Sequence, residues 1–448
     1  MHRPDVQVSR PDATLRDAGR FTLLVAALAL PLGAAVAWDA RVAALIAAAL
    51  IAPVLVWAHP RTTLAVFALA LALNLDVIDG AVHVSLPQLV ALSLVASATV
   101  RVLPPVRAGA WAWGGLLFVA AALPALVTAS YPRAAMTGLI ELTAAAAVLL
   151  AVVRLLVVHD EVRDRVTVLL VAGAALSVVP AVAQVAFGIG PDAFRSGGVM
   201  RAWSTFTEPN TYGLFLAGVL PLALSLQGSR TRTALFAGTI ALGLVLTGSR
   251  AAWAGAMAGL LMLWLTAFRP RASVLLASAA ALVLLAGAAL LAPRELVLGR
   301  MDLGDWSTQQ RLLILLTAWD GIVRSPLLGW GPGAFEHMLP GIARQGLVDD
   351  VTMPHNLLLH IWFDLGLAAL LCFVVLAGLA LVALFRTGRR RHDLRAAGLL
   401  GGLVAMLTAA QFGTLFVRGA QETFILLLAL SAAQLRGRTT VAQPKGRA

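Results

Sequence analysis

Arginine and histidine residues at separated places in the chain have the chemistry needed to handle a phosphate-bearing substrate. Arg201 and Arg250 stand in two short polar stretches between apolar runs, and Arg311 lies in a longer polar stretch that ends at His355. Arginine binds phosphate oxygens through two parallel hydrogen bonds and stays charged when partly dehydrated. A neutral histidine accepts a proton near pH 7. These residue types fit binding of a phosphate group with proton removal beside it.

Each of the two short stretches also has a simpler interpretation. Pro209-Asn210 is a turn signal, and an ordinary helix cap explains Asn210 but neither Arg201 nor the neighbouring Glu208. Thr247–Arg250 joins two apolar runs without room for a loop, so Arg250 lies at or below the headgroups. Mid-membrane burial of arginine costs about 2.5–3.5 kcal/mol, and less near the interface. Either Arg250 snorkels from a helix end, or it lines a cavity that receives a lipid-linked phosphate.

The polar stretch 293–355 contains a predicted amphipathic helix and a glycine-rich turn. Arg311 opens the helix, which would either present this arginine to substrate or lie on the membrane with Arg311 solvated. Its apolar residues at helical spacing are Leu312, Leu315, Leu316 and Trp319. The Gly329–Gly333 segment lacks the strand and spacing of a dinucleotide fingerprint, and Pro332 removes one amide donor, so we interpret it as a turn.

His355 and Asn356 begin the next apolar run. A helix N-terminus favours an anion and disfavours a charged imidazole, so a neutral His355 fits general-base chemistry as well as simple capping. His355 and His360 are five residues apart, on different helix faces, and with His337 and Glu336 they do not form a zinc motif. We therefore expect no metal and no cofactor. Glu141, an acid within an apolar run, fits a proton relay, an arginine partner or a water-lined cavity.

The composition predicts an all-α polytopic membrane protein. Of its 448 residues 60% are hydrophobic and 12% charged, with a mean hydropathy of +0.88, whereas soluble domains are about 25% charged. We expect about 12–14 transmembrane helices and one long extracytoplasmic loop containing short helices. The candidate spans are 21–38, 41–58, 62–78, 86–103, 109–128, 134–157, 166–188, 211–228, 232–248, 251–268, 272–292, 356–385, 395–416 and 421–435.

Charge sets the expected orientation. The net charge is +12, but the basic residues cluster between alternate apolar runs, as the positive-inside rule requires, which argues against nucleic-acid binding. Both termini are expected in the cytoplasm. The lone Cys372 excludes an internal disulfide. The predicted regions are N-terminal transmembrane helices in 1–190, core helices with arginine-bearing turns in 191–292, the loop domain in 293–355, C-terminal helices in 356–435 and a basic cytoplasmic tail in 436–448.

A set of short motifs over about residues 190–390 resembles the O-antigen ligase and O-antigen polymerase superfamily. The order of the motifs, and a long polar stretch that ends in His-Asn at an apolar run, make the resemblance specific. The residues that carry it are Arg201, Thr205-Phe206, Pro209-Asn210, Gly213, Thr247–Arg250, Arg311, Trp319, Ser325–Gly331, His355-Asn356, Leu359 and Asp364–Gly366.

The resemblance implies a metal-independent glycosyltransferase of the bacterial inner membrane. Such enzymes move a glycan from a polyprenyl (undecaprenyl) diphosphate carrier to an acceptor hydroxyl at the outer leaflet. Arg250, Arg311 and His355 correspond to the essential residues of the family, and Arg201, Asn210, Asn356 and Asp364 are the expected substrate-binding residues. Most members have glutamate at the position of Asp364. Ligases use the lipid A core as acceptor and polymerases a second lipid-linked glycan, with a chain-length regulator as a candidate partner.

Two other functions fit the sequence less well. A transporter or flippase of lipid-linked saccharides would place its polar residues mid-membrane in broken helices, whereas these cluster at one face. A scaffold in an envelope complex would need neither Arg250 nor His355. The sequence does not separate ligase from polymerase, because acceptor pockets have no short signature.

Overall fold

A computed structural model describes residues 59–78, 84–100, 110–196, 198–267, 306–338 and 354–436. These residues are mainly helical, and the candidate spans 21–38, 41–58 and 272–292 lie outside them. The helices are α1 Pro60–Leu73, α2 Leu86–Val100, α3 Ala110–Ala122, α4 Pro132–Val158, α5 Val162–Leu176, α6 Val178–Phe187, α7 Pro209–Ser225, α8 Arg230–Leu246, α9 Arg250–Thr266, α10 Trp306–Arg324, α11 Ala334–Met338, α12 Leu357–Arg391, α13 Leu394–Ala409 and α14 Ala420–Arg436.

Four helical segments in the described part of the chain are long and apolar enough to cross a membrane. They are α4, the Val162–Phe187 segment that joins α5 to α6, α12, and α13 with its 3-10 extension. The apolar runs between residues 62 and 435 that the structure describes all contain helix, so the helical class is confirmed for the described residues, and the four long segments suggest a membrane protein.

The all-α expectation needs a small correction. Two short antiparallel hairpins interrupt the helices: β1 Asp76–Ile78 pairs with β2 Val84–Ser85, and β3 Arg195–Ser196 pairs with β4 Val199–Met200. The second hairpin has a glycine turn at Gly198, with φ +78°. It leads directly into the segment that contains Arg201.

Helix α7 is the centre of the bundle. Every residue of α7 except Asn210 is buried, and the helix packs against α5, α8, α9, α13 and α14. Small residues allow α9 and α13 to approach closely: a Cβ at Gly401 would lie 2.7 Å from the Gly259 carbonyl oxygen. Lipid tails are as apolar as the interior of a helix bundle, so close packing of this kind drives helix association in a membrane.

The described part of the 293–355 stretch forms its own small core on α12. Ile314, Ala318 and Ile322 of α10 are buried with Phe335 and Phe363. The predicted helix around Arg311 is therefore present, and the face that packs on α12 is not the apolar stripe that the sequence marked. Leu316 and Trp319 are more than half exposed, and with Val323 they form a second apolar stripe along α10.

Helix α12 is broken at Gly366, and the break holds the Ser325–Gly331 turn. The backbone of Gly366 (φ +80°, ψ −180°) is in a region that only glycine adopts readily. The carbonyl oxygens of Phe363 and Asp364, freed from the helix, accept hydrogen bonds from the amides of Trp330 and Gly331, both at 2.9 Å. The loop domain is thus bonded to the backbone of the bundle.

We expect Gly366→Ala to detach this turn and destabilise the protein by about 3 kcal/mol or more, through backbone strain and lost hydrogen bonds. A Cβ there would overlap the carbonyl oxygen of Leu327. Gly378→Ala is the matched control, because it lies in the same helix with no atom within 4 Å of a new Cβ. Thermal unfolding in detergent compares the two; equal melting temperatures would contradict the role of the break.

Candidate functional site

The N-termini of α7, α9 and α12 lie at one end of the bundle, here called the site end. A Cβ at Gly213 in α7 would be 2.8 Å from the Ala252 Cβ of α9, so these helices start side by side. The α12 start is tied to the 3-10 turn Ala410–Phe412 after α13, since Asn356 Nδ2 donates to the Gln411 carbonyl at 3.2 Å. Helix α9 contacts this same turn. Three sets of helix-terminal amides and positive dipole ends therefore lie in one region, which favours an anion.

Arg201 and Asn210, predicted as substrate-binding residues, contact each other directly. The Arg201 Nη2 donates to Asn210 Oδ1 at 2.8 Å, and its Nε donates to the Thr247 carbonyl, also at 2.8 Å. The stem of Arg201 passes over Gly248, which has φ +58° and no side chain to block it. The two short polar stretches thus form a single structure, although 46 residues separate Arg201 from Thr247.

Arg250 is the first residue of α9 and is partly buried. Ser249 caps the helix by accepting the Ala252 amide at 3.4 Å. A guanidinium at this position meets the positive end of the helix dipole, which disfavours a cation. Arg201 adds a second cation to the Thr247–Arg250 turn. The helix dipole therefore disfavours the charge of Arg250, and an anion bound at the site end would offset this effect.

His355 precedes α12 in the left-handed conformation, with φ +49°. Asn356 is the N-cap of α12: its Oδ1 accepts the Leu359 amide at 3.1 Å, and its Nδ2 bonds to Gln411. Both polar atoms of the Asn356 amide are thereby engaged by protein groups. The left-handed backbone costs a non-glycine residue about 1–2 kcal/mol, and the cap next to it holds His355 in that conformation.

Asp364, the other expected substrate-binding residue, is buried and accepts backbone hydrogen bonds. Its Oδ2 accepts the Gly333 amide at 2.8 Å and its Oδ1 accepts the Phe335 amide at 3.2 Å. These amides open the short helix α11, so the carboxylate connects α11 to α12. This arrangement favours a positioning role for Asp364.

Arg311 lies in the second turn of α10, and its side chain falls outside what the structure describes. Helix α10 packs on α12, through contacts such as Trp319 with Trp362, whose rings lie 6.0 Å apart. Glu141 is on an exposed face of α4. Among the described residues, no three His, Cys, Asp or Glu side chains are grouped closely enough to hold a metal ion.

Gln184 supports the site and was missed at the sequence level. Its buried amide accepts the Ser204 amide at 2.8 Å and donates to the Ser204 carbonyl at 2.6 Å. Ser204 has a left-handed backbone (φ +55°), three residues after Arg201. The available signal was a single glutamine within the apolar run of α6, because a buried amide in such a helix needs polar partners.

These observations define a helical membrane protein with a cationic site where three helices begin. Residues 234–374, about a third of the chain, match the family model described as O-Antigen ligase. This match supports the resemblance to the O-antigen ligase and polymerase superfamily that the motifs had indicated. It includes Arg250, Arg311, His355, Asn356 and Asp364, whereas Arg201 and Asn210 precede it. No curated protein matches the chain.

Proposed function

We propose that the protein transfers a glycan from a polyprenyl diphosphate carrier to an acceptor hydroxyl at the outer leaflet of the bacterial inner membrane. The observation that carries this proposal is the grouping of Arg201 and Arg250 with three helix N-termini, one of them preceded by His355. Guanidinium groups and helix-terminal amides both bind phosphate oxygens, so a lipid-linked diphosphate is the anion that fits this site in an apolar helix bundle.

The proposed reaction divides the work among the site residues. His355 takes the proton of the acceptor hydroxyl as its oxygen attacks the anomeric carbon of the donor sugar. The bond between that carbon and the diphosphate oxygen breaks, and polyprenyl diphosphate leaves with the bonding electrons. Arg250 and Arg311 stabilise the charge that builds on the diphosphate, while Arg201 and Asn210 orient it. This route needs neither a metal nor a cofactor.

The distribution of charge supports an extracytoplasmic site end. Helix α12 ends in Arg389, Arg390 and Arg391 at the opposite end of the bundle, and α8 begins there at Arg230. The positive-inside rule assigns such an end to the cytoplasm. On this assignment the described part of the loop domain lies on the outer side.

The test uses the purified full chain in proteoliposomes with the host's own polyprenyl diphosphate-linked glycan. We expect a larger, acceptor-linked glycan and released polyprenyl diphosphate, at the same rate with and without EDTA. Lipid A core and a second carrier-linked glycan are supplied as separate acceptors, to tell a ligase from an O-antigen or exopolysaccharide polymerase. Movement of the lipid-linked glycan across the bilayer without transfer would overturn the proposal in favour of a flippase.

A further inference from the structure

His360 lies in the first turns of α12 and is not among the residues assigned above. Its side chain is 15% exposed, and its ring meets the Phe416 ring edge-on, with centroids 5.4 Å apart. Both ring nitrogens face polar partners. Nδ1 lies 3.2 Å from Thr414 Oγ1, and Nε2 lies 3.4 Å from Asp364 Oδ2.

The chemistry of the partners favours one tautomer of His360 in this chain of polar contacts. A carboxylate only accepts, so a proton on Nε2 suits the contact with Asp364, which at 3.4 Å is a close polar approach rather than a hydrogen bond. Nδ1 then accepts from the hydroxyl of Thr414, whose oxygen in turn accepts the Phe416 amide at 3.1 Å. The buried Asp364 completes the chain by accepting the amides of Gly333 and Phe335.

This chain joins three segments that are distant in sequence. Thr414 belongs to the connection between α13 and α14, His360 and Asp364 belong to the first part of α12, and Gly333 belongs to the loop domain. His355 lies five residues before His360, next to the start of α12, and these polar contacts hold that part of the helix in place. Asn356 bonds to Gln411 of the same α13–α14 connection, so the contact of His360 with Thr414 is a second polar tie between the start of α12 and that connection.

We propose that His360 is a positioning residue for His355, acting through the Thr414–His360–Asp364 chain. The inference rests on the proposed function, because His355 is the proposed base for the acceptor hydroxyl. Loss of the chain lets the start of α12 shift relative to the bound diphosphate. A displacement of about 1 Å costs on the order of 10²-fold in rate.

The experiment compares His360→Phe, which keeps the ring packed against Phe416, with His360→Gln, which keeps a donor and an acceptor. In the proteoliposome assay we expect His360→Phe to lower kcat about 10–100-fold with donor KM within about twofold. His360→Gln should recover most of that loss. Thr414→Val should lower kcat as well, and the double variant His360→Phe with Thr414→Val should be no worse than His360→Phe alone, because both break one chain.

Hydrogen exchange of the intact protein without substrate gives a separate readout. Peptides containing Gly333 and Phe335 should exchange faster in His360→Phe than in the wild type or His360→Gln. Wild-type kcat in His360→Phe, a change confined to donor KM, unchanged exchange, or additive losses in the double variant would each overturn the role of His360. A wild type that transfers no glycan would instead overturn the proposed function, and with it this role, even where the exchange results agree.

Discussion

Replacing His355 by asparagine is expected to lower glycan transfer by about 10²–10⁴-fold, the usual contribution of a general base. Asparagine adopts the left-handed backbone of His355 readily, whereas alanine adds strain of about 1–2 kcal/mol. His355→Ala is therefore also expected to lose transfer, but part of its loss would come from the added backbone strain. The rate of product formation in proteoliposomes, per molecule of inserted protein, measures the effect.

The matched control is His392→Asn, at the other end of the same helix. His392 is the C-cap of α12 and has φ +51°, nearly the same backbone as His355 at +49°. Asparagine is also accepted at helix C-caps. We expect His392→Asn to transfer glycan at the wild-type rate and at the wild-type protein level. Transfer retained in His355→Asn would remove His355 from the mechanism, and loss in both variants would point to the helix rather than the base.

The membrane helices and the order of the motifs could be predicted from the sequence, because both are local properties. Twenty apolar residues have one stable conformation in lipid. A turn such as Thr247–Arg250 is recognisable from its own four residues. Helix α7 shows the limit of this reasoning. It is apolar from Leu214 to Leu224, so nothing in its pattern indicates which of its faces packs against which neighbouring helix.

Contacts between distant segments could not be predicted from single motifs. Asp364 was expected at the substrate because the family carries an acid there, yet its oxygens accept amides some thirty residues away. Thr128 Oγ1 donates to the Gly329 carbonyl, across 201 residues of sequence, and no local pattern marks either residue. On α10 the sequence contains two apolar stripes, and only packing on α12 shows which one is buried.

The junction between α5 and α6 illustrates the same limit on a smaller scale. The sequence predicts one span over 166–188, and the apolar helical segment Val162–Phe187 agrees with it, with α5 ending at Leu176 and α6 beginning at Val178. Ser177 lies between them, and its hydroxyl is 3.1 Å from the Tyr212 hydroxyl of α7. This partner of the junction comes from another helix, so hydropathy alone cannot reveal it.

Arg250→Lys is expected to reduce kcat/KM by about 10²-fold or more, although the charge is retained. Lysine is a compact point charge on a flexible stem and cannot form two parallel hydrogen bonds to a phosphate. Loss of one such preorganised donor in a site poor in water costs about 10²–10³-fold. The measurement is the dependence of the initial transfer rate on donor concentration in proteoliposomes.

Arg230→Lys is a closely matched control for this substitution. Arg230 is also the first residue of its helix, α8, and follows Ser229 at the N-cap, as Arg250 follows Ser249. It lies at the opposite end of the bundle and is exposed. A general preference for arginine at the first position of a helix would affect both variants equally, whereas a diphosphate at the site end affects only Arg250→Lys. Wild-type kinetics in Arg250→Lys would mean that charge attraction alone holds the anion, and the paired geometry proposed for the leaving group would have to be abandoned.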